Sequence, residues 1–168
     1  GVQSFNEKQL IWMDRGHTAG LSIKAVDRIR KNCPKVDLGI HLMFGLPGET
    51  DKDIVEAAKK CSDMPIDNVK IHNLHVLKNT TLEKDFDAGR FTPITRDKYT
   101  RHTGIFIRHL RPGIAVHRLA AVASRHDELV APEWAKSKLD NYQYILDYLN
   151  NNNFYQGQLF NGPSSVEF

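Results

Sequence analysis

The stretch from Asp37 to Thr50, DLGIHLMFGLPGET, decides how the rest of the chain is interpreted. In its first half, apolar residues alternate with small or polar residues such as His41, which is the period-two pattern of a β-strand. Gly45–Gly48 then turns the chain, and Thr50 followed by Asp53 predicts the capping box of a helix. The stretch is therefore one βα unit, and in βα folds the turn after the strand is where sites are built.

The composition is that of an ordinary globular protein. The 168 residues suffice for one domain with a sizeable core, and a net charge of +3 by itself gives no reason to expect nucleic acid or a membrane surface as a partner. No window approaches the ~18 to 20 apolar residues of a membrane helix. Cys33 and Cys61 lack Cys-x-x-Cys spacing and are expected to be free thiols, which suits a reducing, cytoplasmic location.

The remaining patterns predict strands alternating with helices, hence an α/β fold with a parallel sheet and right-handed crossovers. After Lys78 the pattern changes to loop, helix, a fourth strand, a polar loop and a long helix beginning at Pro132. The first three predicted strands are 2–5, 37–44 and 69–77, the fourth is 114–119, the polar loop is 121–131, and 154–168 is expected to be a poorly ordered tail.

The chain begins GVQSF, inside a predicted strand and without an initiator methionine, so we expect a fragment of a longer protein. If strand 2–5 lacks a neighbour, an apolar edge is open. We then expect two copies to pair, or the C-terminal segment to fold over that edge.

Histidines gather at or near predicted strand ends. His41 and His72 fall on the polar parity of adjacent parallel strands, so they could face one cavity, while His75, His117 and His126 lie at other strand ends. One hypothesis is a metal site or an acid/base pair. The other is hydrogen-bonded histidines lining a barrel interior. Neither HxH nor HExxH occurs. A stand-alone module that holds a metal or an anionic ligand is the alternative function.

Three further groups could carry chemistry. Gln3 and Arg15 could hold an amino-acid moiety, or form a surface bridge without function. The turn Gly45–Gly48 could approach phosphate through backbone N–H groups, although a tight βα turn is the first interpretation. The pair His117-Arg118 and the run 125–127 form a polar cluster that is either solvated or lines a site.

Three segments together resemble the second half of a radical S-adenosylmethionine (SAM) enzyme. They are GVQSFNEKQLIWMDRGHT, VDLGIHLMFGLPGET and NVKIHNLHVLKNTTL, and VHRLA, LVAPEW and NFYQG resemble the family's C-terminal region. The most similar group is an uncharacterised bacterial family related to oxygen-independent coproporphyrinogen oxidase and to the Elongator catalytic subunit. The resemblance implies a partial (β/α) TIM-like barrel, with residues 1–78 as the second half of a (β/α)₆ barrel, 79–153 as an α/β extension packed on it, and 154–168 as a tail.

The resemblance also implies cofactors and contacts. The parent enzymes use SAM and a [4Fe–4S] cluster, whose Cys-x₃-Cys-x₂-Cys motif is absent here, so the segment alone is expected to be inactive. Gln3 and Arg15 match SAM contacts, and His41 replaces an aspartate that touches the ribose in coproporphyrinogen oxidases. His72 and Asn73 match the last strand, where adenine is contacted largely through backbone. The substrate is unknown, and tRNA, suggested by the Elongator relatives, is a weaker possibility.

Overall fold

A computed structural model describes residues 1–123 and 126–162, and within them a three-stranded parallel sheet forms the centre. The strands are β1 (Gly39–Phe44), β2 (Asn68–Asn73), β3 (Val76–Leu77), β4 (Ala115–Arg118) and β5 (Leu129–Ala131). The helices are α1 (Glu7–Trp12), α2 (Ala19–Asn32), α3 (Asp51–Asp63), α4 (Thr81–Asp87), α5 (Arg96–His109) and α6 (Lys138–Asn151). The main sheet has the order β1-β2-β4, and β3 pairs antiparallel with β5.

The central βα unit confirms the prediction from Asp37–Thr50. Along β1 the residues of the apolar parity, such as Ile40 and Leu42, are buried, while those of the other parity are half-buried or exposed. Thr50 caps α3, and its side chain and that of Asp53 form the complete capping box. Parallel pairing sets His41 beside Lys70 of β2, so the polar parities of the two strands share one face.

The predicted strand at Val2–Phe5 is wrong in extent. Among the described residues this segment forms one parallel bridge, in which the Gln3 N–H donates to the His41 carbonyl and the Gln3 carbonyl accepts from Met43 N–H, both at 2.8 Å. Gln3 has a φ of 66°, the left-handed region, which interrupts an extended strand after this single bridge.

The strand predicted over 69–77 is also divided in two. Strand β2 ends at Asn73, and β3 then leaves the main sheet to pair with β5, which lies in the predicted polar loop. At the division, the buried side chain of Asn73 accepts a hydrogen bond from Ala121 N–H, which joins the end of β2 to the loop 48 positions later. The fourth strand, β4, is confirmed beside β2.

The C-terminal region differs from the prediction at both of its ends. A short 3-10 helix, Glu133–Lys136, follows Pro132, and α6 begins only at Lys138. The first part of the expected loose tail packs on α5, because Gly157 N–H donates to Ile107 O at 3.1 Å and Leu159 N–H donates to Arg108 O at 2.7 Å. Residues 163–168 of that predicted tail lie outside the described residues.

The core lies between the main sheet and helices α3 and α5. Phe106 and Tyr99 are fully buried, and both rings contact Phe44 at the end of β1. Helix α2 covers the sheet less completely than its pattern predicts, since Leu21 is 55% and Ile29 is 40% exposed. The reason is that β1 has only the Gln3 bridge on its outer side among the described residues.

A groove of about 540 Å³ therefore lies beside β1, lined by Val2, Leu21, Ala25, Ile29 and Ile40 among others. None of the helices in the described part of the chain has the length and apolar character that crossing a bilayer requires.

Candidate functional site

The inner face of the parallel sheet carries imidazoles and cations from three strands. His41 of β1 and His72 of β2 lie with their ring centroids 5.0 Å apart. Lys70 pairs in register with His41 on one side and with Arg118 of β4 on the other. The Arg118 Nη2 group lies 3.1 Å from His72 Nδ1 and also contacts the second ring nitrogen. The sheet thus assembles one cationic cluster, His41, Lys70, His72 and Arg118.

The two imidazoles of the cationic cluster are held neutral near pH 7. Burial, and then the neighbouring Arg118 charge, lowers the pKa of His72 to about 4. Burial, and then the charge of Lys70, lowers the pKa of His41. A neutral ring nitrogen of His72 can accept a hydrogen bond from the Arg118 guanidinium, so the guanidinium keeps the charge.

The side chain of Asn73 is hydrogen-bonded to His75, two positions later. Its Oδ1 accepts from Ala121 N–H at 2.8 Å, so its Nδ2 faces His75 Nε2, also at 2.8 Å. An amide N–H requires an unprotonated Nε2 as its acceptor, which places the ring proton of neutral His75 on Nδ1. Burial lowers the pKa of His75, although hydrogen bonding to the Ala121 backbone opposes this shift.

A cavity of about 520 Å³ opens against the cationic cluster. Its polar lining comes from His72, His75, Arg118 and Glu128, and its apolar lining from Leu77 and residues 121–123. Arg118 Nε is buried and has no acceptor among the described residues. The cavity thus combines apolar walls with a guanidinium whose Nε has no acceptor in the part of the chain that the structure describes.

The predicted site residues divide into two sets. His41, His72 and Asn73 lie together, and Gln3 is joined to β1 by its backbone beside His41. Arg15 is exposed and lines the groove beside α2 instead, with its Nη2 3.5 Å from the Gly1 carbonyl. The role of all five residues in SAM binding stays a prediction.

Of the other predicted candidates, Arg118 belongs to the cationic cluster and His75 lines its cavity. His117 and His126 are exposed, and Arg125 lies outside the described residues. Across residues 1–123 and 126–162, no three His, Cys, Asp or Glu side chains lie close enough together to hold a metal ion.

The turn Gly45–Gly48 is a tight βα turn whose N–H groups are partly used by the protein itself. Gly45 N–H donates to Glu49 Oε2 at 2.7 Å, so it is not free to bind phosphate. Gly45 has a φ of 91°, and a Cβ there would lie 2.7 Å from Ile94, which explains the glycine. The hypothesis of a backbone phosphate site at this turn is wrong at Gly45.

Sequence reasoning missed one buried polar group behind this turn. His102 of α5 is fully buried, with Nδ1 3.3 Å from Glu49 and Nε2 3.5 Å from Asp51. No local pattern pairs His102 with residues some 50 positions earlier. Lys70 could have been found, because it shares the polar parity of His72 two positions later.

The fold and the family agree. The family described as the Radical_SAM C-terminal domain matches residues 66–151, just over half of the chain. The chain belongs to the radical SAM superfamily and comprises a C-terminal region of that kind.

Particular relatives extend this result to most of the chain. The chain is 31% identical over 150 residues to protein YhcC of Escherichia coli K12, covering 89% of this chain and 48% of the relative. It is 33% identical over 162 residues to the uncharacterised protein MJ0486 of Methanocaldococcus jannaschii, and this match covers 95% of this chain and 49% of the relative. The chain therefore spans about half the length of these curated relatives.

Two more distant similarities complete the comparison. A tRNA-2-methylthio-N(6)-dimethylallyladenosine synthase of Methylacidiphilum infernorum is 31% identical over 80 residues, 48% of this chain and 17% of the relative. The solved structure of archaeal Methanocaldococcus infernus Elp3 with an N-terminal deletion superposes with a TM-score of 0.79 at 21% identity, over 93% of this chain and 36% of that one. This structural likeness confirms the α/β, partial TIM-like barrel fold.

Proposed function

We propose that this chain is the C-terminal portion of a radical SAM enzyme and contributes one side of the SAM site. The observation that carries the proposal is the inner sheet face, where neutral His41 and His72 lie 5.0 Å apart, beside the Gln3 bridge, in a fold shared with that superfamily. The metal version of a stand-alone binding module has no comparable support among the described residues.

The residues on this face fit parts of the nucleoside. His41 is half-buried and its lowered pKa keeps a ring nitrogen free to accept from a ribose hydroxyl. The side chain of Asn73 is already satisfied by Ala121 and His75, so a contact at this position would use the backbone. Bound SAM would supply hydrogen-abstraction chemistry after one-electron reduction by the parent enzyme's cluster, and the residues of this chain would hold its nucleoside.

The iron–sulfur cluster does not fit this chain. The sequence contains two cysteines, of which Cys33 is exposed and Cys61 is buried in the core. Burial raises the pKa of the Cys61 thiol far above its ordinary value, which opposes the thiolate that a cluster requires. We therefore assign this chain the role of binding and orienting the nucleoside and of lining the interior, and we expect it to be inactive alone.

The substrate class stays open within this proposal. The tRNA-modifying relative supports a tRNA substrate weakly, because it matches only about half of this chain and a net charge of +3 adds little. We place the enzyme in the cytoplasm on the ground of its two unpaired thiols.

The test is anaerobic reconstitution of the full-length gene product with iron and sulfide. We expect a [4Fe–4S] absorption spectrum and, after addition of a chemical reductant, formation of 5′-deoxyadenosine from SAM. His41→Ala should weaken SAM binding about tenfold, since it removes a hydrogen-bonding group from the site. His126→Ala, which changes an exposed imidazole, is the matched control. A full-length protein without upstream cluster cysteines would refute the proposal.

A further inference from the structure

The cavity beside β4 has the chemistry of a binding site for a negatively charged group. Arg118 lines it and holds its charge at any physiological pH, and the neutral rings of His72 and His75 lie next to it. Lys70 adds a second cation in the same register row of the sheet. The only acidic lining residue among those described is Glu128.

The guanidinium of Arg118 is incompletely paired. Its Nη2 donates toward His72, whereas its buried Nε has no acceptor in the described part of the chain. A buried charged donor without an acceptor is costly, because it has lost water and gained nothing in return. The Nε and Nη groups of arginine form a planar fork that matches the two oxygens of a carboxylate or phosphate.

We propose that the cavity lined by His72, His75 and Arg118 binds the oxyanion group, carboxylate or phosphate, of a ligand at the Arg118 guanidinium. His72 holds the guanidinium in place, and Lys70 increases the attraction. The cavity volume of about 520 Å³ exceeds the oxyanion alone, so the apolar residues Leu77 and 121–123 would contact the uncharged part of the same ligand.

Two ligands could supply this oxyanion. Only the choice between them rests on the proposed function. One is an anionic substrate bound beside the nucleoside. The other is the α-carboxylate of SAM itself. Binding of the oxyanion needs neither the cluster nor SAM cleavage, so its failure is distinguishable from failure of the proposed enzyme activity.

The first experiment titrates the 168-residue chain with inorganic phosphate and follows His72, His75 and Arg118 by NMR. We expect saturable shifts confined to the cavity. Arg118→Gln should weaken phosphate binding about tenfold or more, because it removes a charge-assisted hydrogen bond. The matched control is Arg28→Gln, an equal change of charge at an exposed residue of α2 outside the cavity, which should leave phosphate binding unchanged.

Folding is checked separately. If Arg118→Gln does not fold, Arg118→Lys decides, since it keeps the charge and loses the planar fork; we then expect weakened but measurable phosphate binding. Absence of saturable phosphate binding to the unchanged chain would overturn the proposal. Equal affinities for phosphate of the Arg118 variant and the Arg28→Gln control would overturn it as well.

The second experiment repeats the phosphate titration with S-adenosylhomocysteine present in excess. Unchanged phosphate affinity assigns the cavity to a substrate oxyanion. If S-adenosylhomocysteine competes with phosphate, and if Arg118→Gln also weakens the binding of S-adenosylhomocysteine, the cavity is assigned to the carboxylate of SAM.

Discussion

Replacing Asn73 by aspartate should raise the pKa of His75. In the native chain the Asn73 amide donates to His75 Nε2 at 2.8 Å and thereby favours the neutral ring. A carboxylate at this position keeps the hydrogen bond from Ala121 N–H, which is also 2.8 Å long, but accepts from His75 instead of donating to it. The substitution therefore reverses the preference of the site from neutral imidazole to imidazolium.

The magnitude follows from charge and distance. An opposite charge within ~4 to 6 Å shifts a pKa by about 1 to 3 units, so the pKa of His75 should rise from its lowered value to above the ordinary 6.5. A histidine whose folded-state pKa is raised stabilises the fold at pH values below its unfolded pKa, and this stabilisation is lost as pH rises through the folded pKa. Relative to the native chain, Asn73→Asp should gain about 1 kcal/mol in free energy of unfolding between pH 8.5 and pH 6, after allowance for solvent screening.

The pKa is measured by NMR titration of the imidazole resonances, with His75 assigned from a His75→Gln spectrum. Urea unfolding at pH 6 and pH 8.5 gives the free energies. Asn32→Asp, an exposed change of the same chemistry on α2, should leave the pKa of His75 unmoved. A pKa of His75 in Asn73→Asp that equals or lies below that of the native chain would refute the reasoning.

Three further predictions concern acid stability, the core and the open groove. The pKa of His72 is about 4 in the folded chain and about 6.5 in the unfolded chain, so the unfolded chain binds more protons between these pH values. The free energy of unfolding should therefore fall by about 1 kcal/mol as pH drops through that window. In urea unfolding, His72→Gln should remove this dependence of the free energy on pH. Phe106→Ala should lower the free energy of unfolding by about 3 to 5 kcal/mol, because it removes a fully buried ring that packs against Phe44 and leaves a cavity. Two copies of the 168-residue chain should associate as a dimer through the groove beside β1, and Leu21→Glu should convert this dimer to a monomer, as measured by light scattering.

Each of these three has its own control. The slope with pH should persist in His126→Gln, whose imidazole is exposed. Tyr142→Ala changes a ring that is 52% exposed and should alter stability by no more than about 0.5 kcal/mol. Leu139→Glu places the same charge on a residue that is 79% exposed on α6 and should leave the dimer intact. The first prediction would be contradicted if the stability of His72→Gln still fell with pH as in the native chain. The second would be contradicted if Phe106→Ala lost no more free energy of unfolding than Tyr142→Ala, and the third if the native chain were a monomer.

Local periodicity was sufficient for the elements that carry their own signal. The alternation in DLGIHLMF determined both the strand and the face on which His41 lies, and helices α2, α3 and α5 begin where Thr18, Thr50 and Thr95 predict. These features depend on residues within a few positions of one another, namely a cap, a turn or a period of two. The same parity was enough to place His41 and His72 on one face of the sheet.

The sequence by itself therefore determined the βα order, the central strand, the capped helices and the shared face of His41 and His72. Only the tertiary structure decided that Gln3 forms a single bridge, that the strand after Asn68 divides at Asn73, and that Arg118 completes the cluster around His72. The physical reason is distance along the chain. Asn73 meets Ala121 and His72 meets Arg118 across 48 and 46 positions, and such hydrogen bonds leave no periodic signal near either partner. DLGIHLMFGLPGET predicted the strand and the face on which His41 lies, whereas packing between strands that are distant in sequence placed Arg118 beside His72, at the cavity for which we propose an oxyanion.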